Sequence, residues 1–155
     1  MTIKGLLVHV DATPAAQARL AAALLLAERF GAQVTALYLI AEPFLRGAAG
    51  QRMPATILRE HLAQAEAEAE ATLRAAQAAA AQRQVRLRPL RETGSLDRLP
   101  ALLARDARNS DLVLVGQPPG QTGSSDEARL VEAAFLEAGR PALMVPQAGA
   151  RALPP

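Results

Sequence analysis

Short apolar runs of β character alternate with long stretches of helical character along the whole chain, and that alternation restricts the fold to βαβ units wound into a parallel sheet. Five runs are legible. Ile3 to Val10 and Leu112 to Val115 are almost continuously apolar, which places them in the middle of a sheet covered on both faces. Gln33 to Ile40 is a third interior strand. Val85 to Pro89 alternates and holds a proline, which cannot donate to a ladder, so it belongs at an edge. Ala142 to Val145, entered from Pro141, forms the other edge. Right-handed crossovers then give an α/β three-layer sandwich, a five-stranded parallel sheet of order 3-2-1-4-5 with helices on both faces.

The helices carry their own punctuation. Thr13-Pro14 opens the first, with Thr13 able to cap and Pro14 at the first helical position, and Gly31 closes it. The second is expected over Ala55 to Gln82, where Leu58, Leu62, Ala65, Ala69 and Leu73 form a narrow apolar stripe on an alanine-rich helix. A third runs from about Asp97 to Asn109, and a fourth from Ser125 or Asp126 to Gly139. The glycine- and proline-containing stretch from Glu42 to Pro54 reads as a mobile loop. With 155 residues, half of them hydrophobic, the chain is long enough for one domain with a proper core, residues 1–147, followed by a flexible tail, 148–155.

Several classes of function are disfavoured by composition. The chain has no cysteine, which removes disulfide scaffolds, thiolate metal sites and thiol nucleophiles. Net charge is only +2, and 16 of the 17 cations are arginines, so the high isoelectric point reflects arginine chemistry and not a strong basic field. Arg83, Arg86, Arg88 and Arg91 surround the third strand, where charge guards a sheet edge; with one tyrosine, three phenylalanines and no tryptophan the chain lacks stacking partners for nucleic acid. His61 stands on a surface helix with no second histidine at metal spacing, so no metal site is expected. No nucleophile elbow or nucleophile–base–orienter set is present, and no catalytic residue is assigned. The N-terminal MTIKGLLVHVDATP has no cleavage pattern, and the longest apolar stretch, Leu20 to Ala27, is well short of a membrane span. The expectation is a cytoplasmic protein with neither membrane nor nucleic-acid partners.

In open α/β sheets, ligands bind beyond the carboxyl ends of the strands where the strand order reverses, here between the first and fourth strands. Asp11 directly follows the first. Gly116 opens a glycine-rich segment, GQPPGQTGSS, that leads from the fourth strand to a helix. Such a segment either offers backbone N–H groups to phosphate or is an inert connection. Asp11 likewise either accepts a hydrogen bond from a ribose or adenine group or joins Thr13 in capping the first helix. His9, on the buried strand, is either a core histidine or part of the pocket wall.

At this point the residues resemble the universal stress protein family: GLLVHVDATP at the first strand, ALYLIAEP at the second, SDLVLVG at the fourth and GRPALMVP at the fifth. The resemblance spans residues 1–147. It implies the same α/β sandwich, binding of ATP or AMP, and dimerisation through the last strands, here Ala142, Leu143, Met144 and Val145. Carried over position by position, the nucleotide site falls on Asp11, on His9 two residues before it, on Leu39 of the second strand and on Gly116. The family's phosphate signature is a glycine, two residues, a second glycine, nine residues, then Gly-Ser or Gly-Thr. The second glycine position is Pro119, with Gly120 one residue late, and the closing pair falls on Ala128-Arg129. Ser124, Ser125 and Arg129 are the donors that could stand in for the missing ones.

The resemblance therefore implies a non-catalytic, homodimeric stress-response binding module with an altered nucleotide pocket, its cofactor left open between ATP, AMP and none, and its further partner a small molecule or another protein. The alternative is an ATP/AMP-binding sensor that uses Asp11 and the 116–129 segment. Slow ATP hydrolysis is the enzymatic rival, and it lacks an evident activating group.

Overall fold

The computed structural model describes residues 2–42, 54–118 and 125–147. In chain order the elements are β1 (Gly5–Val10), α1 (Pro14–Phe30), β2 (Gln33–Ala41), α2 (Ala55–Gln82), β3 (Leu87–Gly94), α3 (Leu99–Ala107), β4 (Leu112–Gly116), α4 (Ser125–Leu136) and β5 (Ala142–Val145). All four strand pairings are parallel, and the order is β3-β2-β1-β4-β5, as the apolar patterning predicts.

Alternate residues of the central strands feed two cores. Leu6, Val8, Val10, Val34, Ala36 and Leu114 pack under α1 and α2 with Leu24, Ala27, Ala69 and Leu73. On the other face Leu7, Leu37, Val113 and Val115 meet Leu103 and Ala107 of α3 and Ala134 of α4. Of the predicted stripe of α2, Ala69 and Leu73 are buried and Leu58, Leu62 and Ala65 half-buried, and the buried line continues through Ala76 and Ala80. Tyr38 extends that packing, its hydroxyl donating to Glu68 of α2 at 3.3 Å. At the edges, β3 turns Arg88 and Arg91 outward, and Pro89 is tolerated because only one side of the strand pairs, with Ala36 opposite it.

Several boundaries differ from those expected, each for a local reason. β1 starts at Gly5, not Ile3, because the N–H groups of Lys4 and Gly5 donate to Asp111 Oδ2 at 2.8 and 2.9 Å, a clasp between the starts of β1 and β4. β3 runs from Leu87 to Gly94, later than Val85 to Pro89: the Val85 N–H closes the α2 turn on Ala80 O, and pairing with β2 continues to Ala41 opposite Gly94. α3 is trimmed to Leu99–Ala107. α4 stops at Leu136, and the chain leaves it through a turn in which Glu137 and Ala138 donate to Ala133 O, with Gly139 at φ 63°. Gly31 ends α1 as predicted, in the left-handed region. The Glu42–Pro54 loop, apart from its two ends, and the 148–155 tail lie outside the described residues.

Candidate functional site

The ends of β1 and β4 diverge at the reversal of strand order and leave a cleft of about 400 Å³, within the range of ligand pockets. His9, Asp11 and Thr13 form one wall, Gly116 and Gln117 another, and Glu127 and Val131 of α4 a third; Arg19 reaches in from α1. A second groove of about 600 Å³ runs between α1 and α2 past Leu20 and Leu24, and shares Asp11 and Thr13 with the cleft.

Both oxygens of the Asp11 carboxylate are engaged. Oδ1 accepts the backbone N–H of Thr13 at 2.8 Å and also its hydroxyl, the i to i+2 pattern of an Asx turn. This corrects the expectation that Thr13 caps α1: Thr13 occupies the N-cap position, yet its side chain turns back to Asp11 and makes no capping bond. Oδ2 accepts from Arg19 Nη2, an ion pair whose cationic side chain is almost fully buried. Burial pushes the Asp11 carboxyl up, but the Thr13 hydrogen bonds and the Arg19 guanidinium together outweigh it and hold the group below the ordinary carboxylate value.

Arg19 was not singled out by sequence reasoning, although a signal exists. It stands three residues from both Ala16 and Ala22, so a helical wheel puts a cation on the buried stripe of α1. Its Nε donates to the His9 carbonyl at 3.0 Å, which anchors the guanidinium to the end of β1 just before Asp11. The other side of the group lies against Gly116: a Cβ there would overlap Arg19 Nη1 and approach Cζ to 3.1 Å. Gly116 thus has a packing reason to be glycine besides any approach to phosphate.

His9 alternates with Val8 and Val10 and so faces the α3–α4 side, where it lines the cleft. Burial is the main cause that lowers its pKa to about 4; the Arg19 charge adds to this, and Asp11 opposes it. The imidazole is therefore neutral at physiological pH.

Of the residues expected at the site, His9, Asp11 and Gly116 are brought together. Leu39 is not: it packs against the Leu7–Leu37–Leu103 cluster, one strand away from the reversal. Arg129 donates to Asp97 Oδ1 at 3.0 Å and does not line the cleft. Gly120 and Ser124 lie outside the described residues, as does the side chain of Ser125, whose backbone begins α4. Among the described residues no cluster of three His, Asp or Glu side chains could hold a metal ion, and no helix is long and apolar enough to cross a membrane.

Solved structures share this architecture. A universal stress family protein from Burkholderia pseudomallei is 24% identical, with 94% of this chain and 97% of that one covered at a TM-score of 0.66. The protein UspA from Lactobacillus plantarum is 23% identical over 93% and 98% of the two chains, at a TM-score of 0.72. A universal stress protein from Archaeoglobus fulgidus, solved in complex with dAMP, is 16% identical over 93% and 98%, at a TM-score of 0.58. No curated protein sequence matches the chain significantly. At these identities the likeness speaks for the fold, while the sequence itself matches the family profile over residues 2–123, most of the strands and the whole β1–β4 cleft floor. The chain belongs to the universal stress protein family.

Proposed function

We propose that this protein is a non-catalytic binding module of the stress response, a homodimer through β5 whose ancestral nucleotide pocket is altered. One observation carries the reading of the pocket. Among the described residues, Arg19 is the sole cation lining the cleft, and it is committed to Asp11. Arg129, a candidate to replace the missing phosphate donors, is paired with Asp97 instead. A triphosphate would bring several charges to a wall with no uncommitted described cation, and charge-assisted hydrogen bonds are the strong ones in such sites. The positive end of α4 is also already matched, since Asp126 and Glu127 stand in its first turn.

The same geometry argues against catalysis. A general base works best with a pKa near the operating pH, and His9 titrates near 4. Asp11 has both oxygens occupied. Dimerisation is supported by the β5 edge, a four-residue strand without charge, where Met144 is 44% exposed and Phe135 and Leu136 of α4 are exposed as well.

The competing reading, an ATP or AMP sensor, is favoured by the cleft itself and by the dAMP complex of the Archaeoglobus relative. Isothermal titration with ATP and AMP, with and without magnesium, decides between them, with Asp11→Ala as control. The proposal expects no saturable binding at millimolar nucleotide. Saturable binding that Asp11→Ala abolishes would replace it with the sensor. Light scattering at tens of micromolar tests the dimer, and a monomer there refutes it.

A further inference from the structure

Arg19 is only 6% exposed, and three separate elements are shaped around its guanidinium. The end of β1 supplies the His9 carbonyl and the Asp11 carboxylate, α1 supplies the arginine, and β4 ends in a glycine where a side chain would collide with it. Turn formation does not explain the arrangement, because Asp11 serves Thr13 with Oδ1 alone and Oδ2 is left for another donor. That second oxygen lies at the reversal of strand order, where a carboxylate is suited to accept hydrogen bonds from paired hydroxyls of a ligand such as a ribose.

We propose that Arg19 is the specificity-determining residue of the cleft. Seated between Asp11 and Gly116, it withholds the carboxylate from ligands that present a vicinal diol, nucleosides and nucleotides in particular. Oδ1 already accepts two hydrogen bonds and Oδ2 one, so a diol that places both hydroxyls on Asp11 must displace the guanidinium, and thereby leaves a cation without its partner in a nearly dry site, which is costly. This inference rests on the reading of the cleft as an altered ligand pocket, and it assigns the alteration to a side chain on α1 as well as to the 116–129 segment.

The test uses AMP as the probe and compares full-length wild type, Arg19→Met, Gly116→Ala and the double variant Arg19→Met/Asp11→Asn by isothermal titration, with circular dichroism to verify folding. Methionine retains an apolar stem and good helix propensity at position 19. Alanine at 116 leaves the arginine present and denies it its seat, and the colliding atoms are the far end of a flexible side chain. Arg19→Met is expected to bind AMP at least about tenfold more tightly than wild type, as expected for one recovered hydrogen bond to a charged group. Gly116→Ala should move in the same direction, and the double variant should lose the gain.

Arg19→Met binding no better than wild type, or worse, overturns the proposal, and so does failure of both single variants to fold, since an occluding residue must be dispensable to the fold. Micromolar AMP binding by wild type would sink the altered-pocket reading, while the ratio of Arg19→Met to wild type still judges Arg19. Absence of binding in wild type and both single variants would keep that reading and refute the role of Arg19.

Discussion

Lowering the pH from 7 to 4.5 should remove stability from the wild-type chain that a His9→Gln variant keeps. His9 has an ordinary pKa of 6.5 and a folded value of about 4, set mainly by its burial against the cleft wall and next by the Arg19 charge. Below pH 6.5 the unfolded chain takes up a proton on this imidazole, whereas the folded chain does so only near pH 4. The unfolded state thus binds more protons through the window, and stability falls with acidification. At 1.36 kcal/mol for each pH unit of the gap, the fall between pH 7 and 4.5 is about 2 kcal/mol. For a chain of this length that corresponds to a melting shift of about 4–8 °C. Thermal melts followed by circular dichroism at pH 7, 6, 5 and 4.5 give the slope for each protein. The carboxylates that begin to titrate at the acid end are common to both, so the difference between slopes isolates His9. Any loss of packing in the variant displaces its whole curve and leaves the slope intact. Parallel curves would refute the reasoning. Asp11 acts in the same direction but lower: its folded pKa is depressed, so its contribution is present above the ordinary value of 3.8 and is lost below it.

Three further outcomes are expected. Leu103, fully buried between Leu7, Leu37 and Val113, should cost about 2–5 kcal/mol on replacement by alanine, read from urea unfolding of Leu103→Ala. Gly31→Ala meets no atom within 4 Å, so its cost is the left-handed backbone alone, about 1–2 kcal/mol by the same assay. Met144→Arg puts a charge on the exposed part of β5 and should convert the proposed dimer to monomer in light scattering without unfolding the chain.

The strand order could be read before any coordinates because burial on two faces and burial on one leave different marks: continuous apolar runs in β1 and β4, alternation and a proline in β3. The limits of β3 could not, since they follow from pairing with eight residues of β2, a partner more than forty residues away in the chain. Asp11 and Gly116 met at the cleft because both terminate strands that flank the reversal, a property of topology and not of their chemistry. Leu39 and Arg129 failed to join them for reasons specific to this chain. One faces a packed cluster on β2, and the other finds a nearer carboxylate in Asp97.

Arg19 is the instructive omission. Patterning treats a helix as a stripe of apolar positions, and a single arginine among Ala16, Ala22, Ala23 and Ala27 looks like an interruption to be averaged away. Buried cations are rare unless paired, so such an interruption carries more information than the alanines around it. Its partner also stands close in sequence: Asp11 lies eight residues earlier, across the turn between β1 and α1. What sequence alone lacks is the third contact, because nothing before folding relates position 19 to Gly116, ninety-seven residues further on. Once that contact is in place, Asp11 can no longer be assigned to ligand or to helix cap as separate alternatives. The carboxylate holds the turn with one oxygen and the guanidinium with the other, so any ligand that needs it must compete with the protein's own side chain.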